Sequence, residues 1–181
     1  MPGDATQLAL LPGILYLAPA GSTEPADLVT PWDPAWVELG YTAEGSKWTT
    51  ELSMGEVMAA EEIDPIHIAT DSRKVKVSFV LLQVTATNLR RALNGGTIVA
   101  GGGFVTFEPH EPGDDVYIAL GHESHDGTER HVFREGKQIG NVETERKRGG
   151  DSAKIPAEFQ FRRPAANLLP WKSIMASPLR A

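Results

Sequence analysis

Arg73-Lys74-Val75-Lys76-Val77-Ser78-Phe79-Val80-Leu81-Leu82-Gln83-Val84-Thr85 is the stretch whose reading decides the fold. Val75, Val77, Phe79 and Leu81 alternate with Lys74, Lys76 and Ser78. Two is the strand period, because successive side chains point to opposite faces. From Val80 onward the second face turns apolar as well, through Leu82 and Val84. Fully extended, thirteen residues span about 40 Å, roughly twice a typical strand. One end is expected to cover a core on one face only, and the other to be covered on both. A packed helix or a neighbouring subunit could supply that second cover.

A helix is predicted directly after this strand. Thr87 is the expected N-cap. Leu89 and Leu93 lie four apart on one face, and Gly95-Gly96 ends the run. Two turns are unstable alone, so this helix must pack on the sheet. It is the expected cover for the Val80, Leu82, Val84 face.

The same two-residue period recurs elsewhere. Trp48, Thr50, Leu52 and Met54 alternate with Lys47, Thr49, Glu51 and Ser53. Ile155, Ala157, Phe159 and Phe161 alternate with Pro156, Glu158, Gln160 and Arg162. Between Asp115 and Leu120, the residues Val116, Ile118 and Leu120 share a face. Further strands are predicted at Thr97–Ala100, Phe104–Glu108, Glu129–Arg134 and Ile139–Glu145, with Glu135-Gly136 as a hairpin turn. The Pro19–Pro34 stretch holds four prolines and reads as an extended loop. Glu145–Ala153 is charged and glycine-containing, hence another loop. No repeat or linker divides the chain, so 1–181 reads as one mainly β domain with an N-terminal arm at 1–12 and a C-terminal arm at 164–181. Trp171 and Ile174 are the expected anchors of the second arm.

Composition bounds the function. The chain has 181 residues and is 41% hydrophobic, ordinary globular values that argue against disorder throughout. It contains no cysteine, which removes disulfides and thiolate metal sites. No apolar run approaches the ~20 residues of a membrane span, and the start lacks the basic region of a signal peptide. Net charge is −7. Glu108–Glu129 holds seven acids and no Lys or Arg, and Glu44–Asp64 holds six acids against Lys47 alone. Proteins that grip nucleic acid normally present a basic face. Such acid clusters are solvated surfaces, or surfaces that do not hold DNA.

No catalytic constellation emerges. His122, His125 and His131 lie off any helical metal-binding pattern and read as surface histidines. Gly101-Gly102-Gly103 lacks the Gly-Lys-Ser/Thr of a phosphate loop and reads as a bulge, a flexible strand or a close backbone approach. Asp114-Asp115 and Glu61-Glu62 are adjacent pairs, which a strand would point apart. Trp36 and Trp48 read as packing residues. A sugar platform would need Trp32 and Trp36 exposed. No catalytic, cofactor or metal residue is expected.

In order and spacing, several segments resemble the major tail proteins of siphophages, in particular those infecting actinobacteria. The first is Ile14-Leu15-Tyr16-Leu17-Ala18-Pro19-Ala20-Gly21. After the Pro-rich loop comes Trp36-Val37-Glu38-Leu39-Gly40-Tyr41-Thr42. The strand pair Lys47–Ile63, then Asp64-Pro65-Ile66, the Val75–Leu82 strand, the short helix and Gly95-Gly96 follow. Ala153–Phe161 matches the late strand of that family. The resemblance covers about four-fifths of the chain, and Glu108–His131 departs from the pattern.

The resemblance implies a two-sheet β-sandwich or barrel with one flanking helix. It implies a non-enzymatic virion protein, assembled in the host bacterial cytoplasm. Six copies would form a ring, and stacked rings a tube that passes double-stranded DNA. Partners would be further copies and the tape-measure, tail-tip and tail-terminator proteins. The Lys47–Ile63 hairpin would reach neighbouring subunits, making Trp48, Leu52, Met54, Val57, Met58 and Ile63 the expected inter-subunit contacts. Rival readings are a tail terminator, a contractile or secretion tube protein, and a monomeric carbohydrate-binding sandwich.

Overall fold

A computed structural model describes residues 13–58, 60, 61, 63–111, 113, 116–143 and 153–176. Among the described residues the chain is mainly β with one helix. Its strands are β1 (Gly13–Pro19), β2 (Val37–Glu38), β3 (Thr42–Val57) and β4 (His67–Leu81), followed by helix α1 (Ala86–Ala92). Then come β5 (Thr97–Gly101), β6 (Phe104–Glu108), β7 (Ile118–Ser124), β8 (Glu129–Gln138), β9 (Ile155–Phe161) and β10 (Trp171–Met175). The described strands form two sheets. The larger runs β2-β1-β7-β8-β9-β4-β3 with β10 also on β8, and the smaller is β5-β6.

Chain connectivity forces the large sheet to curl. β2 and β3 sit at its opposite edges, yet only Leu39, Gly40 and Tyr41 join them. Four Cα–Cα steps reach at most about 15 Å. Seven flat strands would separate the edges by about 29 Å. The sheet therefore rolls into a nearly closed barrel, and the large sheet supplies both layers around the core. Inside lie Val75, Val77, Phe79 and Leu81 of β4, Leu120 of β7, Phe133 of β8, and Ile155, Phe159 and Phe161 of β9. Phe79 stacks on Phe159 at 5.9 Å between centroids, and Phe133 meets Phe161 at 5.1 Å.

The alternation along β4 is as read, but the strand starts earlier, at His67, and stops at Leu81. The helix starts two residues earlier than expected. Thr85 is extended, and its hydroxyl accepts the Asn88 N–H, so Thr85 is the N-cap and Thr87 is already helical. The helix ends at Ala92 with Leu93 as its C-cap, and Asn94 follows with φ 60°. The Asn94 side chain accepts the Gln138 N–H at 2.8 Å and donates to the Gln138 carbonyl at 2.9 Å, tying α1 to the end of β8.

Two expectations fail here. The helix packs on β5, β6 and β9 rather than covering the Val80 face. The strand region with cover on both sides is instead β1, β7 and β8. Its outer face carries a second small core, Ala18, Ala119 and Val132, closed by Trp36, Trp32 and Tyr16. The Pro-rich loop is thus a lid on the barrel wall. Arg130 fixes it, donating to the carbonyls of Asp27 at 2.9 Å and Thr30 at 2.6 Å while pairing with Glu123 at 3.0 Å.

Glu135-Gly136 is not a turn. Both residues lie inside β8, and Gly136 pairs with Ile118 on one side and Phe161 on the other. Glycine is needed there for space: a Cβ would stand 2.4 Å from the Phe161 ring. The strand expected at Ile139–Glu145 is accordingly absent over its described part. Ile139 and Gly140 leave β8 with their N–H groups on the Glu158 carbonyl. The C-terminal segment docks on its own body. β10 pairs along β8 from Trp171↔Phe133 to Met175↔Glu129, with Trp171 stacked on Phe133 and Ile174 half-buried. The expected N-terminal arm, and the Asp114-Asp115 pair, lie outside the described residues.

Candidate assembly surface

β3 and β4 run past the barrel as a two-stranded ribbon. From Thr49 to Val57 and from His67 to Lys74 nearly every residue is exposed. The cross-strand register assigns the faces, because paired residues share one. Trp48↔Val77, Thr50↔Val75 and Leu52↔Arg73 continue the core face of the barrel outward. Beyond Ser53↔Ser72 the register shifts at a bulge, and Met54↔Thr70 and Glu56↔Ile68 carry the same face to the tip. The opposite face holds Lys47, Glu51, Lys74 and Lys76, with Lys76 and Glu51 paired at 3.0 Å.

The ribbon is therefore amphipathic, with its apolar face open to solvent. Of the six residues expected at subunit contacts, Leu52 and Met54 share that face and are more than half exposed. Met58 and Ile63 lie in the tip loop, both exposed. Val57 points to the other face by register. Trp48 differs from these. It stands at the ribbon root with its ring 4.2 Å from His131, 5.5 Å from His122 and 5.6 Å from Phe133. Ile66 and Ile68 join the exposed set, and the sequence reading missed them. Their neighbours His67, Ala69 and Thr70 give too little polar contrast to mark a strand face.

A second hairpin, β5-β6, turns at Gly102 and Gly103, both in the left-handed region that suits glycine. It leaves Val99, Phe104 and Val105 exposed.

The histidines depart from expectation in two of three cases. His125 is exposed, but His131 is buried and His122 half-buried. The His131 ring is held at both nitrogens, with Nε2 3.2 Å from the Glu129 carboxylate and Nδ1 2.6 Å from the Ser173 hydroxyl. Burial, and then the neighbouring His131, hold the His122 pKa below its usual value. Trp32 and Trp36 form no open platform. Trp36 is buried, and Trp32 stacks on Tyr16 at 4.7 Å and donates its indole N–H to Glu123. Among the described residues no three His, Asp or Glu side chains converge as a metal site would, and no helix is long and apolar enough to cross a membrane.

Among curated proteins, none matches the chain. Among solved structures, a chain of the cryo-EM structure of the anti-feeding prophage (AFP) baseplate, 6-fold symmetrised, aligns over 97% of both chains at 6% identity with a TM-score of 0.43. The family model for phage tail tube proteins matches residues 4–175, nearly the whole chain. The chain, mainly β in fold, therefore belongs to the phage tail tube protein family, and that membership is what assigns it to the phage tail.

Proposed function

We propose that this chain is the repeating subunit of a siphophage tail tube. Six copies close into a ring, and rings stack into a hollow tube that passes double-stranded DNA during infection. The observation that carries the reading is the projecting ribbon with an uncovered apolar face. Exposed ribbons with apolar faces are a liability in a monomer and an asset in a subunit that propagates. A net charge of −7 suits a conduit that must not hold its polyanionic cargo. The role is structural rather than catalytic. The tape-measure, tail-tip and tail-terminator proteins are the proposed partners at the tube's interior and ends.

Negative-stain electron microscopy of the purified chain at low and high concentration tests this. Hollow tubes or six-fold rings at high concentration are expected. Uniform small particles at every concentration, even with tail-tip protein added as a seed, would overturn the reading.

A further inference from the structure

We propose that the ribbon tip of one copy seats Ile63 in an apolar notch at the ribbon root of the next copy. The proposal rests on the tube reading and names the contact that propagates it.

The notch follows from the strand lanes. β9 fills the lane between β8 and β4 as far as Phe161↔Val75. β10 takes up the same lane beside β8 from Trp171 onward, but among the described residues it forms no ladder with β4. The gap left between β10 and the ribbon root is a cavity of about 220 Å³, walled by Trp48, Val75, Phe133, Trp171 and Met175. Of its polar lining, His131 and Ser173 hydrogen-bond to each other, and Thr50 is exposed to solvent. An apolar occupant is therefore favoured over a polar one. Apolar cavities of about 150 Å³ take up benzene, so a four-carbon side chain fits.

Ile63 is the matching knob. It is 94% exposed, the most exposed of the large apolar residues described. It cannot fill its own notch. The ladder to Val57↔His67 carries the tip about 24 Å beyond Thr50. A knob at one end and a hole at the other make a heterologous contact, which repeats from copy to copy.

Charge points the same way. Ile63 is flanked by Glu61, Glu62 and Asp64. Arg73 lies two rungs beyond the Thr50↔Val75 pair, on the same face as the notch. It is exposed and has no ion pair among the described residues. Glu129, the acid paired with Met175, is already engaged by His131.

The chain has no cysteine, so a disulfide trap is clean. Ile63→Cys with Met175→Cys, oxidised in preformed tubes, is expected to give a ladder of covalent oligomers on a non-reducing gel. The bond forms only where Cα atoms come within about 4–7 Å. Ile63→Cys with Val99→Cys is the control and is expected to give none. In parallel, Arg73→Glu is expected to raise the critical concentration for tube formation about tenfold, and adding Asp64→Lys to restore it. Tubes without the Ile63–Met175 ladder, or a ladder from the Val99 pair instead, would overturn the seat and leave the tube reading standing. Failure of the unaltered chain to form tubes would overturn the tube reading itself.

Discussion

Ile63→Ala separates assembly from folding more cleanly than any other substitution in the ribbon. The change deletes three carbons. Buried at a subunit contact, these are worth about 0.8 kcal/mol each, or about 2.4 kcal/mol in all. Within the subunit Ile63 is 94% exposed, so folding loses only the remaining fraction. That is about 0.1–0.2 kcal/mol, a Tm shift under about 1 °C for a chain of this size. The same 2.4 kcal/mol raises the critical concentration for tubes about 50-fold. The assay is sedimentation of polymer across a concentration series, paired with a thermal melt of the dilute subunit. An unchanged critical concentration would refute the assignment of Ile63 to a contact. A melting temperature lowered by several degrees would refute the premise that the tip is open in the subunit.

Three further outcomes follow from the body of the fold. Arg130→Met removes the buried partner of Glu123 and the clasp on the Asp27 and Thr30 carbonyls, so urea unfolding is expected to show a loss of about 3–5 kcal/mol. Trp32 fluorescence should shift with it, because the same carboxylate receives the indole N–H. Gly136→Ala drives a methyl into the Phe161 ring and is expected to cost about 1–3 kcal/mol by the same measurement. The His122 pKa is lower folded than unfolded, so its contribution is complete above about pH 6.5 and is lost as pH falls through the folded value. The urea midpoint should therefore drop between pH 7.5 and 5.5, and His122→Gln should flatten that drop.

Strand periodicity was legible wherever one face meets the core, as along Val75–Leu81 and Ile155–Phe161. It misled where both faces are covered. In β8 the residues from Arg130 to Phe133 are all buried, because the barrel core lies on one side and the lid on the other. With no alternation to follow, Glu135-Gly136 looked like a break. The glycine serves instead to admit Phe161, a contact 25 residues away that no local pattern encodes. Thr85 lost to Thr87 as the expected cap for a similar reason. Both precede helical residues, and only the extended backbone at Thr85 decides between them. His122 and His131 looked like surface residues because the stretch around them is acidic, yet Glu123 and Glu129 are themselves half-buried in ion pairs.

The ribbon illustrates a deeper limit. Trp48, Thr50, Leu52 and Met54 form one unbroken alternation, yet cover from the chain itself stops near Trp48. A pattern records that a face is to be covered, not by which molecule. Resemblance placed the hairpin at Lys47–Ile63, which spans only β3 and the tip loop, and alternation gave the two faces of β3. That the second strand is the outer half of β4, with the bulge and the notch at the root, came only with the register.

β4 enters the barrel and leaves it as one uninterrupted strand. Its inner half is laddered to β9 from Val75↔Phe161 to Leu81↔Ile155, seven rungs, while its outer half carries the tip. Any pull on the tip therefore runs along the strand axis, and ladder hydrogen bonds lie across that axis. Loaded sideways, the seven rungs must slip together instead of peeling one at a time. A subunit so made bears tension on its tip without a hinge, delivering it to the barrel core along one continuous strand.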